Sequence, residues 1–468
     1  MESLDAPPFF VKSPFGRIFK LQMLCYRAIV YPTFSLGLKV MSFFYPKVSL
    51  GLKERRGILL KLRKMKASLD IQLRNTACIY AHVSSVGEYL QVLPVLEKLK
   101  NENQELKIAL SYFSPSLSLF MKNREHSIDL LFPYPGDSYF CVRELLQILK
   151  PKALLFCKFD LWPELIVQAY LKKVPLYLVS ATLRDTSKRE KSYLRVFYTS
   201  LYQCFEQIFA VSKNDAERFK GFNRERLLDN VCVSGDTRVD SVWERTQKES
   251  QKISPDWRNV LKLKAPILVI GSSWPTDEQM IIEALKTLPE SHSSPKPFLI
   301  WAPHETSEKH SALLQERLAS IGYNSTLLSS LVKNGSSVLE STQCLLVDQM
   351  GYLVALYSLG NFAYIGAGPG GLHNILEPIG AGLNCFFGPR FSNSPEAEFL
   401  ISQKAVFSCE SAEELSRHFS AYLGHFFNPT LSLDNLYAKA LLRSQKYLES
   451  QRGAARYCAD VIAKGLAK

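Results

Sequence analysis

Short runs of consecutive apolar residues alternate with longer mixed segments along most of this chain. Runs of strand length lie at 76–83, 107–113, 128–132, 153–159, 176–180, 207–211 and 231–234, and again at 266–271, 297–301, 344–347, 362–365 and 383–387. Segments of helix length, such as 91–101 and 215–222, separate them. Strands that are apolar on both faces and alternate with helices are typical of parallel sheets covered by helices. The pattern therefore predicts an α/β protein with two doubly wound sheets.

Breaks in this alternation indicate domain boundaries. A chain of 468 residues exceeds the roughly 250 to 300 residues at which single cores stop growing, so two domains are expected. The polar stretch 246–264 is typical of an interdomain linker, and residues 435–468 have a helical pattern. We predict an N-terminal region over 1–66, a first α/β domain over 67–245, a second over 246–434, and a helical tail over 435–468.

The glycine-rich stretch 361–389 is the most distinctive local pattern. Its two apolar runs, 362–365 and 383–387, are expected to be parallel neighbours in one sheet. Between them lie Gly366, Gly368, Gly370 and Gly371, followed by His373, Asn374 and Glu377 at the predicted start of a helix. Glycines allow a ligand to approach the backbone, and a helix N-terminus attracts phosphate. A phosphate site and an ordinary strand-to-helix turn explain this stretch equally well.

Polar residues and glycines also follow most of the other predicted strands. Ligands of open α/β sheets bind outside the carboxyl ends of the strands, so two such domains facing each other would form a binding cleft. The residues that we select at these ends are Ser85, Gly87, Glu88, Lys158, Asp160, Arg238, Ser272, Pro303, His304, Met350 and Gly351. Each has a structural alternative: Glu88 suits a first helical turn, Lys158 and Asp160 suit a surface pair, and Arg238 suits a pair with a neighbouring Asp. Their joint occurrence favours a ligand site.

The formal net charge of +13 is concentrated near the N-terminus. Residues 12–66 carry thirteen Lys or Arg and one acid, Glu54. The region is otherwise aromatic and aliphatic, but Arg27, Pro32 and Lys39 interrupt it before about 20 apolar residues accumulate. This combination predicts a membrane-surface anchor that contacts anionic lipids; a tilted transmembrane helix stays open, and a signal peptide is less favoured. Because the charge is local, nucleic acid is not an expected partner.

The cysteines give no sign of a metal site. Ten of them are scattered singly through the chain, without a CxxC pair or a Cys/His cluster. This distribution favours a reducing compartment and predicts no structural zinc.

Seven motifs in order along the chain resemble a known enzyme family. They are SxGE at 85–88, FSPS at 113–116, KFDLWPEL at 158–165, GDTRVDSV at 235–242, GSSWPTDE at 271–278, APHE at 302–305 and GLHNILEP at 371–378. Together they resemble the 3-deoxy-D-manno-octulosonic acid (Kdo) transferases, glycosyltransferases of lipopolysaccharide synthesis, over about residues 18–399. The resemblance implies a GT-B fold of two Rossmann-like lobes, CMP-Kdo as donor, a lipid A precursor (lipid IVA) as acceptor, and neither metal nor cofactor.

The resemblance also implies roles for individual residues. Glu88 becomes the catalytic base, and Asp160 and Arg238 steady the transition state. Contacts to CMP fall on Pro303, His304, Met350, Gly351, Tyr352, Asn374, Ile375, Leu376 and Glu377. The chain departs from the commonest family pattern at Lys158, where an acid is frequent, at Asp160 and Arg238, where Glu and Lys are frequent, and at Tyr352, where Glu is frequent.

These roles agree with the chemistry of the residues. A sugar hydroxyl needs a base as it attacks, and Glu88 supplies a carboxylate. Lys158, Arg238 and the turn from Gly366 through Gly371 to His373 supply cations and N–H groups for the departing phosphate. We expect an inverting transferase at the cytoplasmic face of an inner membrane. The alternatives are a GT-B transferase that uses a UDP-sugar and a lipid acceptor, and a non-catalytic membrane-docked nucleotide-binding protein.

Overall fold

The chain folds into two compact α/β units. The computed structural model describes residues 14–73, 78–122, 126–183, 187, 189, 191–222, 228–264, 266–288, 296–369, 371–427 and 435–466. The first unit comprises Met1–Asp240 with Gln451–Lys468, and the second comprises Ser241–Ser450. The chain thus divides at 240/241 and 450/451, whereas the sequence pattern placed the divisions at 245/246 and 434/435.

The first unit is built on a seven-stranded parallel sheet in the order β3-β2-β1-β4-β5-β6-β7. Its strands are β1 (Cys78–Val83), β2 (Lys107–Tyr112), β3 (Leu130–Pro133), β4 (Ala153–Cys157), β5 (Leu176–Ala181), β6 (Gln207–Ala210) and β7 (Val231–Val233). Each coincides with a predicted apolar run. Successive side chains of β1 enter opposite cores, since Tyr80 lies in one cluster and Ile79 and Ala81 in the other.

Among the described residues, ten α-helices precede β7. They are α1 (Arg17–Cys25), α2 (Tyr31–Met41), α3 (Pro46–Arg55), α4 (Ile58–Leu73), α5 (Val86–Glu102), α6 (Ser116–Met121), α7 (Tyr139–Leu149), α8 (Pro163–Leu171), α9 (Ser192–Tyr202) and α10 (Lys213–Lys220). A π-helical turn, Tyr26–Val30, joins α1 to α2. The side chains that α1 and α4 bury in the first core are Phe19, Met23, Ile58 and Leu62. The region 1–66, predicted as a separate anchor, is therefore packed onto the first unit over its described part. None of the described helices is both long and apolar enough to cross a bilayer.

The second unit contains another seven-stranded parallel sheet, in the order β10-β11-β9-β8-β12-β15-β16. Its elements are β8 (Ile267–Ser273), β9 (Phe298–Pro303), β10 (Ser325–Leu327), β11 (Cys344–Leu346), β12 (Phe362–Ile365), β15 (Asn384–Phe387) and β16 (Phe407–Ser408), with a small antiparallel pair, β13 (Ala367–Gly368) and β14 (Gly371–Leu372). The predicted parallel pairing of β12 with β15 is confirmed. The edge strands β10 and β16 were not predicted, because runs of three and two residues carry little periodicity.

The helices of the second unit begin with α11, which starts in the first unit. They are α11 (Arg238–Ser250), α12 (Pro255–Lys262), α13 (Pro275–Lys286), α14 (Glu308–Ala319), α15 (Leu328–Asn334), α16 (Leu353–Tyr357), α17 (Leu376–Gly380), α18 (Pro395–Ser402), α19 (Ala412–Phe427) and α20 (Leu436–Gln451); a 3₁₀ turn spans Ser336–Leu339. The linker prediction for 246–264 is wrong, because α11 and α12 cover most of it. These helices bury Val242 and Leu261, and their exposed faces account for the polar composition.

The last helix, α21 (Ala454–Leu466), returns to the first unit. It packs against α5 and buries Ala455, Cys458, Ala459 and Ile462 in the second core cluster of the first unit. The Asp240 carboxylate accepts hydrogen bonds from the N–H groups of Gly453 and Ala455, both at 2.7 Å. Residues 435–468 are helical over their described part, as predicted, but they do not form one tail, because the apolar face of α21 belongs to the first core.

Candidate active site

Glu88 lies in the first turn of α5, directly after β1. Ser85 caps this helix and accepts a 3.4 Å hydrogen bond from the Glu88 N–H, and Gly87 lies within the same turn. The Glu88 carboxylate accepts a 2.5 Å bond from the Ser84 N–H, and only 8% of the residue is exposed. Burial, followed by the nearby Asp160 charge, raises the pKa of Glu88 to about 7. A carboxylate poised near neutrality is suited to proton transfer, which an exposed helix-capping acid would not be.

Asp160 follows β4, and its carboxylate accepts two hydrogen bonds. Its Oδ2 accepts a 2.5 Å hydrogen bond from the Ser84 hydroxyl and a 3.2 Å bond from the Trp162 indole N–H. His82 Nε2 lies 3.5 Å from the same oxygen, and His82 Nδ1 contacts the Ser111 hydroxyl at 2.7 Å. Burial alone would raise the pKa of Asp160, but His82, Ser84 and Trp162 together hold it below its usual range. The pKa of Glu88 is thus raised and that of the neighbouring Asp160 is lowered. Carboxylates whose pKa values are shifted apart in this way are typical of acid–base sites.

Lys158 carries its positive charge close to both Glu88 and a second buried carboxylate, Asp236. Its backbone adopts the left-handed conformation, with φ of 58° at the end of β4. Against the effect of burial, the ammonium lowers the pKa of Glu88 and adds to the effect of Arg238 on the pKa of Asp236. Lys158 therefore acts electrostatically on both groups.

Arg238 is fixed by a neighbouring acid, Asp236, as the structural alternative from the sequence allowed. The Arg238 side chain donates from Nη2 to Asp236 Oδ2 at 2.6 Å and from Nε to both carboxylate oxygens at 3.1 and 3.2 Å. Burial opposes ionisation of Asp236, but the Arg238 charge and hydrogen bonds keep its pKa below the usual range. The neighbouring Thr237 is buried and donates to the Gln91 carbonyl of α5 at 2.5 Å. This turn is consequently rigid and tied to the helix that carries Glu88.

Three rings pack against one another in the predicted nucleotide site of the second unit. Trp274 stacks on His304, with ring centroids 4.2 Å apart and an interplanar angle of 19°. His373 lies 5.1 Å from the His304 ring, and its Nε2 accepts a 3.4 Å bond from the Trp274 indole. Burial and then the His304 charge lower the pKa of His373. Aromatic faces of this kind suit stacking with a base, since every base presents a π-face.

The glycine-rich turn packs closely against other parts of the second unit. Gly368 lies against the Trp274 ring, where a Cβ would clash, and Gly371 has φ of 92° beside the Asn393 amide. Asn393 also bonds both backbone groups of Leu372. Internal packing therefore accounts for the glycines at 368 and 371, while the phosphate site stays a prediction. Gly370 lies outside the described residues.

The predicted helix after this turn is shorter than expected. It begins at Leu376, so His373 and Asn374 precede it, and the Asn374 side chain accepts a 3.1 Å bond from the Leu376 N–H. Glu377 accepts a 3.2 Å bond from Arg245. Burial raises the pKa of Glu377, and Arg245 opposes that effect. The carboxylate is therefore oriented by a cation of α11 in the same unit.

The remaining predicted contacts differ in accessibility. Pro303 ends β9, Ser272 has φ of 55° in β8, and Gly351 has φ of 92°. Met350 is 85% exposed, and Tyr352 caps α16, where its carbonyl accepts the Leu356 N–H. The side chains of Ile375 and Leu376 are buried in the core, so a ligand would meet only their backbone.

Several residues that organise the site were not selected from the sequence. They are His82, Ser84, Trp162, Asp236 and Trp274. Each lies within or close to one of the seven motifs. His82, Asp236 and Trp274 have contact residues that are distant in the chain, so the motifs alone do not reveal these contacts. Position at a strand end was the available signal, and it did not distinguish these residues from ordinary turn residues. Within the described residues, no cluster of His, Cys, Asp and Glu has the arrangement of a metal site.

Comparisons with known proteins agree with this architecture. A family model described as 3-deoxy-D-manno-octulosonic-acid transferase (kdotransferase) matches residues 51–241. The 3-deoxy-D-manno-octulosonic acid transferase of Aquifex aeolicus is 28% identical over 346 residues, which is 72% of this chain and 83% of the relative. That of Haemophilus influenzae is 23% identical over 354 residues, covering 74% of this chain and 79% of the relative.

A solved structure relates the whole fold to known enzymes. The UDP-GlcNAc 2-epimerase of Neisseria meningitidis, bound to UDP-GlcNAc, superposes with a TM-score of 0.52 at 15% identity, covering 80% of this chain and 100% of that chain. At this identity the likeness concerns the fold alone. The two parallel-sheet units have the GT-B fold, as expected from the sequence.

Proposed function

This chain belongs to the Kdo transferase family, and we propose that it transfers Kdo from CMP-Kdo to a lipid A precursor, lipid IVA, at the cytoplasmic face of an inner membrane. Membership in the family makes it a glycosyltransferase that transfers Kdo in lipopolysaccharide synthesis. The observation that carries the proposal is the buried Glu88 carboxylate, which is bonded to the Ser84 N–H and whose pKa is about 7.

Glu88 is the proposed general base. The acceptor hydroxyl transfers its proton to Glu88 while its oxygen attacks the anomeric carbon of Kdo and the bond to CMP breaks. Positioned bases contribute about 10² to 10⁴ in rate. Burial opposes ionisation of Asp160, but His82, Ser84 and Trp162 keep its pKa below the usual range. The ionised carboxylate supplies negative charge near the oxocarbenium-like centre. Attack opposite the leaving group inverts the anomeric configuration.

The departing CMP carries a phosphate whose charge needs compensation. Lys158 and Arg238 are the cations of the first-unit site, and Asp236 orients Arg238 through three N–H contacts. Fixed cations of this kind stabilise developing charge without reorganising. The proposed reaction therefore includes neither metal nor cofactor. In the second unit, the ring group of Trp274, His304 and His373 is proposed to hold the nucleotide, and Glu377 its ribose.

The membrane location is supported by the N-terminal helices. Exposed apolar side chains on α2 and the following turn lie beside exposed Lys39 and Lys47, a combination suited to an interface with anionic lipids. Vesicle flotation with and without phosphatidylglycerol tests this part. Protein that stays at the bottom of the gradient with both vesicle types contradicts it.

The decisive test is product analysis with purified full-length protein. We expect CMP release from CMP-Kdo only when lipid IVA is present, together with a product heavier by one or more Kdo units in mass spectrometry. Parallel reactions with UDP-sugars distinguish the other GT-B transferase, and binding of CMP without any turnover distinguishes the non-catalytic protein. Release of UDP in place of CMP would contradict the proposal.

A further inference from the structure

The helix α2 differs from every core helix in that none of its residues is buried. Six exposed residues on the end of the π-helical turn, α2 and the turn that follows form a surface that we call the N-terminal apolar face: Val30, Leu36, Val40, Met41, Phe43 and Phe44. Exposed apolar surfaces of this extent mark interaction sites. Although α2 has no buried side chain of its own, it contacts the π-helical turn before it and α3 after it.

One residue of α2 connects this face to the first-unit site. The ring of Phe34, which is 43% exposed, lies 6.1 Å from the Phe113 ring and 6.4 Å from the Trp162 ring, the latter edge-on. The Trp162 indole N–H donates to Asp160 Oδ2 at 3.2 Å. A contact chain of two steps therefore leads from Phe34, on the helix that carries much of the N-terminal apolar face, to a carboxylate that raises the pKa of Glu88.

Two polar contacts hold the π-helical turn that precedes α2 to the first unit, at Asp137 and Glu164. Arg27 forms a bidentate pair with the fully buried Glu164 at 2.7 and 3.0 Å. The Tyr26 hydroxyl donates to Asp137 at 2.7 Å, and Asp137 also accepts the N–H groups of Glu164 and Leu165. Glu164 lies four residues after Asp160. The turn is therefore fixed at its base, while the Phe34 side chain contacts the rings of Tyr31, Phe113 and Trp162.

We propose that Phe34 is a positioning residue through which membrane docking of the N-terminal apolar face orders Trp162 and thereby Asp160. This inference rests on the proposed function, since it requires Asp160 to act in the transfer. On a lipid surface the exposed side of Phe34 is covered, and the ring is confined between lipid and Trp162. Confinement fixes the indole N–H on Asp160, so the enzyme reaches its full turnover only when bound to a membrane.

The test separates vesicle binding from turnover. Full-length protein is mixed with vesicles of phosphatidylethanolamine and phosphatidylglycerol that contain lipid IVA; flotation gives the bound fraction, and CMP release gives the rate. We expect Phe34→Ala to lower turnover per bound molecule by about tenfold, because small displacements of catalytic groups are costly. Its bound fraction should stay within about twofold of wild type, since the six residues of the N-terminal apolar face are unchanged and one half-exposed ring adds little buried area. Phe34→Tyr, which keeps the ring, should restore turnover.

Phe44→Ala is the matched variant. Phe44 is 74% exposed on the same face, so its replacement should lower the bound fraction, and that fraction alone should account for its loss of activity. If the loss in Phe34→Ala is also fully explained by the bound fraction, or if Phe34→Tyr is as impaired as Phe34→Ala, the inference is wrong.

Asp160→Asn distinguishes failure of this inference from failure of the proposed function. Wild-type turnover in Asp160→Asn removes the role of Asp160 and, with it, the basis of the inference. An inactive Asp160→Asn beside a fully active, membrane-bound Phe34→Ala overturns the inference alone and leaves the proposed function standing.

Discussion

The strand ends of the two units use different chemistry on the same type of scaffold. In the first unit, Glu88, Asp160 and Asp236 are largely buried carboxylates surrounded by donors and cations. In the second, the corresponding edge carries stacked rings, glycines packed against neighbours and Glu377 paired with a cation. Both sheets have seven parallel strands, so the difference lies in the turns.

Under the proposed function, this difference separates proton transfer from recognition. Closely spaced buried carboxylates shift one another's pKa, which is useful for a base but adds little to the binding of an anion. Stacked aromatic rings bind a flat base without any change in protonation. We therefore expect substitutions in the first unit to affect turnover and substitutions in the second unit to affect affinity.

The largest expected effect is that of Glu88→Gln. Removing the base should lower the rate of transfer by about 10² to 10⁴, while the dissociation constant for CMP, measured by calorimetry, stays within about twofold. Glu102→Gln, at the exposed end of the same helix, is the control and should behave as wild type. Near-normal turnover in Glu88→Gln would contradict the assignment of Glu88 as the base.

Glu377→Ala should have the next largest effect. Loss of a charged partner to a ribose hydroxyl typically costs about 1.5 to 3 kcal/mol, so the dissociation constant for CMP should rise at least about tenfold, with turnover at saturating donor little changed. Glu308→Ala, an exposed first-turn acid in the same unit, should leave affinity unchanged. Lost turnover at unchanged affinity would contradict the separation of the two units.

The pH dependence of transfer should reveal the environment of Glu88. Burial and the Asp160 charge raise the pKa of Glu88 to about 7, so the rate should fall as the pH drops below about 7 and the base becomes protonated. The Lys158 ammonium lowers that pKa; Lys158→Met should therefore move the acid limb to higher pH, with roughly a two- to fivefold lower rate near neutrality.

Rate–pH profiles at saturating substrate concentrations give the midpoint of the acid limb separately from the maximal rate at high pH. Lys152→Met, an exposed residue just before β4, should leave the limb in place. A limb that moves to lower pH in Lys158→Met would exclude the proposed electrostatic role.

Much of the fold follows from the sequence because the strands are apolar on both faces. All twelve predicted runs contain strands. The linker prediction for 246–264 was wrong because α11 and α12 are amphipathic and present polar faces to solvent. Glu88 and Asp160 were identified because they stand at strand ends. The roles of His82 and Asp236 were not identified, because their contacts join distant residues. His82 contacts Ser111, 29 positions away, and Asp236 contacts Gln91, 145 positions away. The start of α17 was missed because Asn393 holds Leu372 outside the helix.

The smallest expected effect concerns the attachment of α21. Asp240→Ala removes the acceptor of two backbone N–H groups at the start of that helix, which should cost about 1 kcal/mol and lower the melting temperature of the first unit by about 2 to 4 °C. Asp256→Ala, exposed on α12 in the second unit, is the control for scanning calorimetry. A shift confined to the transition of the second unit would contradict the assignment of α21 to the first.

The return of α21 to the first unit has a consequence during synthesis on the ribosome. The core behind α5 includes Ala455, Cys458, Ala459 and Ile462, so the first unit emerges early but lacks part of its interior until the second unit has been translated. Until then the nascent chain exposes an apolar groove behind the helix that carries Glu88, and such surfaces recruit chaperones. The order of translation thus delays completion of the core behind the helix that carries Glu88 until α21 has been made.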